Sequence, residues 1–166
     1  MVLIAFEGPS GVGKSTLIQL VSERTGLPAI TRDPVVRNFR VTQGHHDIFV
    51  LEQMSILNKI PWEQVDVMID RMPVVSQWVY DRVDKREGEV PYFDLGMIPA
   101  DTAFVYLSRV WEDPYKRRQQ EQYEVVMPEI KARHPTISIR TDQTKVYECV
   151  RQITEWVGRI SNGKKL

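Results

Sequence analysis

Residues 8–16 read Gly8-Pro9-Ser10-Gly11-Val12-Gly13-Lys14-Ser15-Thr16, with Gly8 and Gly13 separated by four residues and followed by a lysine and two hydroxyls. An apolar run precedes this stretch and a helical pattern follows it, which is the setting of a phosphate-binding loop. Glycine admits backbone conformations closed to other residues, so successive N–H groups around Gly8, Gly11 and Gly13 can turn inward on an anion. The helix that begins near Gly13 aims its N-terminal dipole at the same point. Lys14 can reach the β- and γ-phosphates as a point charge, and the Ser15 hydroxyl can ligate Mg²⁺. A lysine at the start of a helix is a poor choice for stability, because the dipole disfavours a cation there. Residues 8–16 therefore predict a loop that binds a nucleoside triphosphate, ATP, with Mg²⁺.

Val67-Met68-Ile69-Asp70-Arg71 is an apolar run ending in a carboxylate, the arrangement by which such loops are given their magnesium. Asp70 is thus the expected metal residue beside Ser15. The planar fork of Arg71 suits phosphate or acceptor oxygens better than a lysine would. Taken alone, Asp70 could equally cap the next helix; the phosphate loop tips the balance toward metal.

These residues need a scaffold. Short β-rich runs at 2–7, 27–31, 65–70, 102–107 and 136–140 alternate with longer helical patterns, which predicts an α/β fold with a five-stranded parallel sheet covered by helices on both faces. The first helix is expected over about 14–25, with Leu17, Leu20 and Val21 at core spacing and Gly26 as its C-cap. The last places Val146, Val150, Ile153, Val157 and Ile160 on one face, before a polar tail at 162–166 expected to fray. In an open parallel sheet ligands gather outside the carboxyl ends of the strands. Glu7, Arg32-Asp33, Asp70-Arg71 and Ser108-Arg109 follow successive apolar runs and predict the lining of a phosphoryl-transfer cleft.

The 166 residues suit a single domain, 1–166. Lys+Arg and Asp+Glu both number 22, so no global positive field draws the chain onto long duplex. The lone Cys149 cannot form an internal disulfide and suits a reducing, cytoplasmic setting. With no basic leader and no run near the ~20 apolar residues of a membrane span, a soluble protein away from membranes is expected.

Phe6-Glu7-Gly8 before the loop, Arg32-Asp33-Pro34-Val35 after the second strand, and Asp70-Arg71 with Ser76 and Tyr80 in the following helix resemble the thymidylate kinase and deoxynucleoside kinase superfamily. Ala100-Asp101 before the fourth strand and the basic stretch Lys116-Arg117-Arg118 continue the likeness over nearly the whole chain, which is short for that group, as in a minimal viral member. The resemblance implies a three-layer P-loop fold with a short lid after the fourth strand. It implies Asp33 as the base that takes the proton from an attacking hydroxyl, and Arg32 as a contact to an acceptor phosphate. Arg71 would meet phosphate or acceptor, and Arg117 and Arg118 would close over the transferring group from the lid. Gln53 would read the base edge and Tyr80 would stack on the base. Met72-Pro73 stands where Tyr or Ser usually follows the arginine, which speaks against strict thymidylate kinase activity. Asp33-Pro34-Val35 matches the nucleoside-kinase pattern and the glycines of a thymidylate kinase acceptor loop are missing, so a hydroxyl acceptor is the preferred expectation.

The predicted activity is transfer of the γ-phosphoryl of ATP to a deoxynucleoside, a deoxynucleoside monophosphate or a related nucleoside hydroxyl. One alternative is a kinase acting on a modified base or end within a DNA strand, where Arg32, Arg37, Arg40, Arg117, Arg118 and the pair His45-His46 could grip a few phosphates. Arg37 enters the substrate-binding set on that account. A second alternative is a nucleotide-dependent binding module. The expected partner is a nucleoside or nucleotide, with a short stretch of DNA under the first alternative; the sequence leaves homodimerisation open.

Overall fold

Alternate side chains of β1 (Leu3–Glu7) point to opposite faces of a sheet, and in this chain both faces are covered. Leu3 and Ala5 join one core, while Ile4 and Phe6 join the other. The computed structural model describes residues 2–31, 65–85 and 94–163. After β1 come α1 (Lys14–Thr25), β2 (Ala29–Ile30), β3 (Val67–Asp70), α2 (Pro73–Val83), a single 3₁₀ turn (Leu95–Met97), β4 (Thr102–Ser108), α3 (Pro114–Arg133), β5 (Thr136–Arg140) and α4 (Val146–Gly163).

The strands form one sheet in the order β2-β3-β1-β4-β5, and every pairing is parallel. Parallel neighbours require crossovers, and the helices that supply them pack α2 with α3 and α1 with α4. The first face buries Val74, Val75 and Val79 of α2 with Tyr123, Val126 and Met127 of α3. The second buries Leu17, Ile18 and Val21 of α1 with Val150, Ile153 and Val157 of α4. The expected three-layer α/β architecture is the one observed. Among the described residues, no helix is long and apolar enough to cross a membrane.

Several boundaries differ from the sequence pattern for identifiable reasons. β2 is confined to Ala29–Ile30 because Pro28 has no N–H to give to a ladder; its carbonyl still accepts Met68 N–H at 2.9 Å. β3 starts at Val67 because Asp66 turns its carboxylate to the Val2 N–H, at 2.7 Å. Along α4 the buried stripe begins at Cys149, whereas Val146 is 55 % exposed.

The register places the chemistry. Leu3 stands opposite Val67 on one side and Thr102 on the other, so that Phe6 lies level with Asp70 and Glu7 with Tyr106. The carboxyl ends of the three central strands therefore finish at one height, around the loop that leaves β1.

Candidate functional site

The loop between β1 and α1 depends on glycine at two points. Gly8 has φ +143°, and a Cβ there would lie 2.3 Å from the Leu107 carbonyl oxygen at the end of β4, so no side chain fits. Gly13 has φ +107° and occupies the N-cap of α1 without any side-chain cap. The first N–H groups of α1 thus lack a side-chain acceptor from the capping position, the condition for holding an anion. Lys14 is 6 % exposed, and its ammonium donates to the carbonyls of Gly8 and Pro9, both at 2.8 Å, which holds the charge across the loop.

Beneath the loop the Ser15 hydroxyl donates to Asp70 Oδ2 at 3.3 Å. The other carboxylate oxygen, Oδ1, is buried without a hydrogen-bond partner among the described residues. A buried orphan acceptor is costly unless something occupies it. A hydroxyl and a carboxylate, one of its oxygens unsatisfied, form an oxygen donor set that fits a hard cation such as Mg²⁺.

Arg71 follows with φ +77°, the left-handed region that costs a residue with a side chain on the order of 1–3 kcal/mol. Its N–H donates to the Phe6 carbonyl at 3.0 Å. Its guanidinium lies 5.3 Å from the centre of the Tyr80 ring and donates through Nη1 to the Tyr123 hydroxyl. Tyr123 in turn donates to Glu7 Oε2 at 2.9 Å, and Glu7 Oε1 accepts the Met72 N–H. Glu7 and Tyr123 are fully buried, and Arg71 is nearly so. Burial pushes the Glu7 carboxyl above its ordinary range, against the pull of the Arg71 charge and the Met72 N–H. Burial also drives the Tyr123 hydroxyl well up. For Arg71 burial works downward, but the surrounding Tyr123, Tyr80, Glu7 and Asp70 outweigh it and keep the guanidinium above its ordinary value. Arg71 stays charged.

Helix α3 closes the far side. Asp113 accepts the Lys116 N–H at 2.8 Å as N-cap, and Pro114 sits at the first position, a strong helix start. The resemblance puts the basic run 116–118 in a flexible lid; instead it forms the first turn of a regular helix, because this cap and proline set the helix running before it. The connection from β4 is residues 109–113. Arg117 donates to the carbonyls of Trp111 and Glu112, tying the helix to that connection, and Arg118 lies over the Tyr115 ring, 5.6 Å from its centre. Lys116 is the member of the run that meets the phosphate loop, with Nζ 3.2 Å from where a Gly11 Cβ would stand and 4.9 Å from the centre of the Trp111 ring. One turn on, Gln119 Oε1 accepts the Ser10 N–H at 2.9 Å.

The structure therefore brings together Gly8, Ser10, Gly11, Gly13, Lys14, Ser15, Asp70 and Arg71 of the expected set, and places Tyr80 beneath Arg71. Tyr80 is 8 % exposed, with its ring turned to the guanidinium. Pro9 accepts from Lys14, and Val12 is packed into the core; Thr16 follows Ser15 in the first turn of α1. Arg32, Asp33, Arg37 and Gln53, along with Arg40, His45 and His46, lie outside the described residues. Sequence reasoning missed Tyr123, Gln119 and the distinction between Lys116 and its neighbours. The signal was present. The apolar stripe of α3 at Tyr123, Val126, Met127 and Ile130 extends backward at helical spacing onto Gln119 and Lys116, polar residues on the inward face.

A cleft of about 310 Å³ opens beside the loop, outside the ends of β4 and β5, lined by Ser108, Arg109, Trp111, Arg117, Gln120 and Arg140 among others. The Arg109 guanidinium stacks on Trp111, 4.9 Å from the ring centre.

No protein-family model and no curated protein sequence matches the chain. Solved structures do. Deoxyadenosine kinase from M. mycoides with bound dATP superposes with a TM-score of 0.70 at 14 % identity, over 95 % of this chain and 100 % of that one. The YorR protein from Bacillus subtilis in complex with phosphorylated GDP gives 0.65 at 22 % identity, covering 95 % and 96 %. Thymidylate kinase from Ehrlichia chaffeensis gives 0.59 at 20 % identity, covering 96 % and 97 %. At these identities the likeness is one of architecture, and the fold of this chain is that of the P-loop nucleoside and nucleotide kinases.

Proposed function

We propose that this chain is an ATP- and Mg²⁺-dependent kinase that transfers a phosphoryl group to a deoxynucleoside, a deoxynucleoside monophosphate or a related nucleoside hydroxyl. The observation that carries this reading is the Ser15–Asp70 pair beneath a glycine-cradled lysine, with the Arg71 guanidinium held beside it. Phosphoryl transfer needs little covalent help from a protein, and its catalysis is mostly positioning and charge neutralisation. The loop N–H groups and Lys14 would bind the triphosphate, and Ser15 and Asp70 would hold the cation. When bound, Mg²⁺ supplies charge that neutralises the phosphate oxygens. Arg71 would meet the transferring group or the acceptor, and Lys116 would add charge from the α3 side. The cleft beside Trp111, with its flat ring and guanidinium surfaces, suits the donor base.

Neighbours that are nucleoside and nucleotide kinases over almost their full lengths support the substrate class. With a hydroxyl acceptor, Asp33 would act as general base; with a monophosphate acceptor no base is needed and Arg32 would bind the incoming phosphate. The test is transfer of label from γ-labelled ATP to panels of deoxynucleosides, deoxynucleoside monophosphates and oligonucleotides, with and without Mg²⁺. Label on one of the first two panels, dependent on Mg²⁺, is the expected result. Label on oligonucleotides alone would move the assignment to a DNA end or modified base.

A further inference from the structure

Glu7 is a carboxylate with no exposed surface, and such a group is destabilising unless paired and hydrogen-bonded. It satisfies one oxygen on the Met72 N–H and the other on the Tyr123 hydroxyl, which itself accepts from Arg71. Both peptide N–H groups on either side of the left-handed Arg71 backbone are thereby anchored to β1, that of Arg71 on Phe6 and that of Met72 on Glu7. The side chain is anchored indirectly. Glu7 reaches the guanidinium through a tyrosine that belongs to a different element, α3.

We propose that Tyr123 is a positioning residue for Arg71, its hydroxyl passing the Glu7 anchor to the guanidinium and fixing the direction in which that group meets a phosphate or acceptor oxygen. The inference rests on the reading of Arg71 as a phosphate or acceptor contact. A guanidinium carries five N–H donors in a rigid fork, so holding Nη1 orients all of them. The Tyr80 ring supports the group from below, which leaves the hydroxyl to set its rotation. The helix that supplies the hydroxyl also supplies Gln119 to the Ser10 N–H. Lys116, Gln119 and Tyr123 recur at three- and four-residue spacing and share one face. α3 thus registers the phosphate loop and Arg71 against each other.

Tyr123→Phe keeps the buried ring and removes only the hydroxyl. The measurement is a double-mutant cycle of Tyr123→Phe and Arg71→Ala, reading turnover with the best acceptor of the panels, or ATP hydrolysis where none is used, together with ATP affinity and thermal midpoint. The expected result is a fall in kcat of about tenfold or more in Tyr123→Phe, ATP affinity within about twofold of the parent, and no further effect of Tyr123→Phe once Arg71 is alanine. Glu7→Gln, of nearly the same shape, serves as a second variant and is expected to show the same kcat loss and the same dependence on Arg71. Unchanged kcat in a folded Tyr123→Phe protein, or an equal loss with and without Arg71, overturns the proposal. A third readout needs no turnover: the side-chain N–H signals of Arg71 in nitrogen-labelled protein are expected to shift and exchange faster in Tyr123→Phe, and unaltered signals count against it. If Arg71→Ala alone leaves turnover intact, the reading of Arg71 fails instead, which keeps the two failures apart.

Discussion

Asp70 and Arg71 are adjacent, yet their surroundings differ, and the proposed function gives them separable tasks. Asp70 ends β3 with one oxygen on Ser15 and the other unsatisfied, whereas Arg71 turns through a left-handed backbone onto Tyr80 and Tyr123. Asp70→Asn should therefore raise the Mg²⁺ concentration needed for half-maximal transfer, while Arg71→Ala should mainly lower kcat. Removing a preorganised transition-state contact typically costs about 10²–10³-fold, ~2.7–4 kcal/mol. Magnesium titrations of both variants check this, and identical titration curves with undiminished turnover would reduce the pair to a turn and a helix start. Both positions stood out in the sequence because an apolar run ending in a carboxylate needs only local pattern. The partners of Arg71 did not, since Glu7 and Tyr123 lie 116 positions apart and meet only through the sheet register and the packing of α3.

At the scale of elements, the basic run expected in a lid lies in the first turn of α3. Its start is fixed by Asp113 and Pro114, and its inward face carries Lys116 and Gln119 against the phosphate loop. On the proposed reading, a helix would present this charge with the cost of ordering its backbone already met on folding. Lys116→Ala is expected to lower turnover by about tenfold, whereas Lys131→Ala, in the last turn of the same helix, should leave it near the parent value. Equal activity in the two variants, measured with the same acceptor, would remove Lys116 from the site. The sequence pattern named the run 116–118 correctly as basic but could not choose among its members, because that choice depends on which helix face turns inward. Arg117 and Arg118 point to the connection 109–113 and to Tyr115 instead.

Among the described residues, the sheet divides two cores and the loop between β1 and α1 lies at its carboxyl edge, and this much followed from alternating β-rich and helical patterns. The strand limits did not, because the Pro28 carbonyl and the Asp66 carboxylate accept the backbone N–H groups of Met68 and Val2, which pattern alone does not count. The same packing sets an acid response. His134 joins α3 to β5, its Nδ1 lies 3.1 Å from the Thr102 carbonyl oxygen and its ring meets Phe104 edge-on, and burial lowers its pKa from 6.5. Below about 6.5 the unfolded chain takes up this proton before the folded one does, so stability is fully present above that pH and falls as pH drops toward the folded-state value. Denaturant unfolding between pH 7 and 5 should show this decline, and it should be shallower in His134→Gln; equal slopes would assign the acid response to other groups.

Phosphoryl transfer is proposed to occur at the loop around Lys14. The most direct test sets the parent protein against Lys14→Ala, each verified as folded, in transfer of label from γ-labelled ATP to deoxynucleosides and deoxynucleoside monophosphates with Mg²⁺. Label on one acceptor class in the parent and a loss of at least about 10²-fold in the variant are the expected results. Transfer that survives Lys14→Ala at the parent rate, or a folded parent that neither binds ATP nor moves its label, would contradict the proposal.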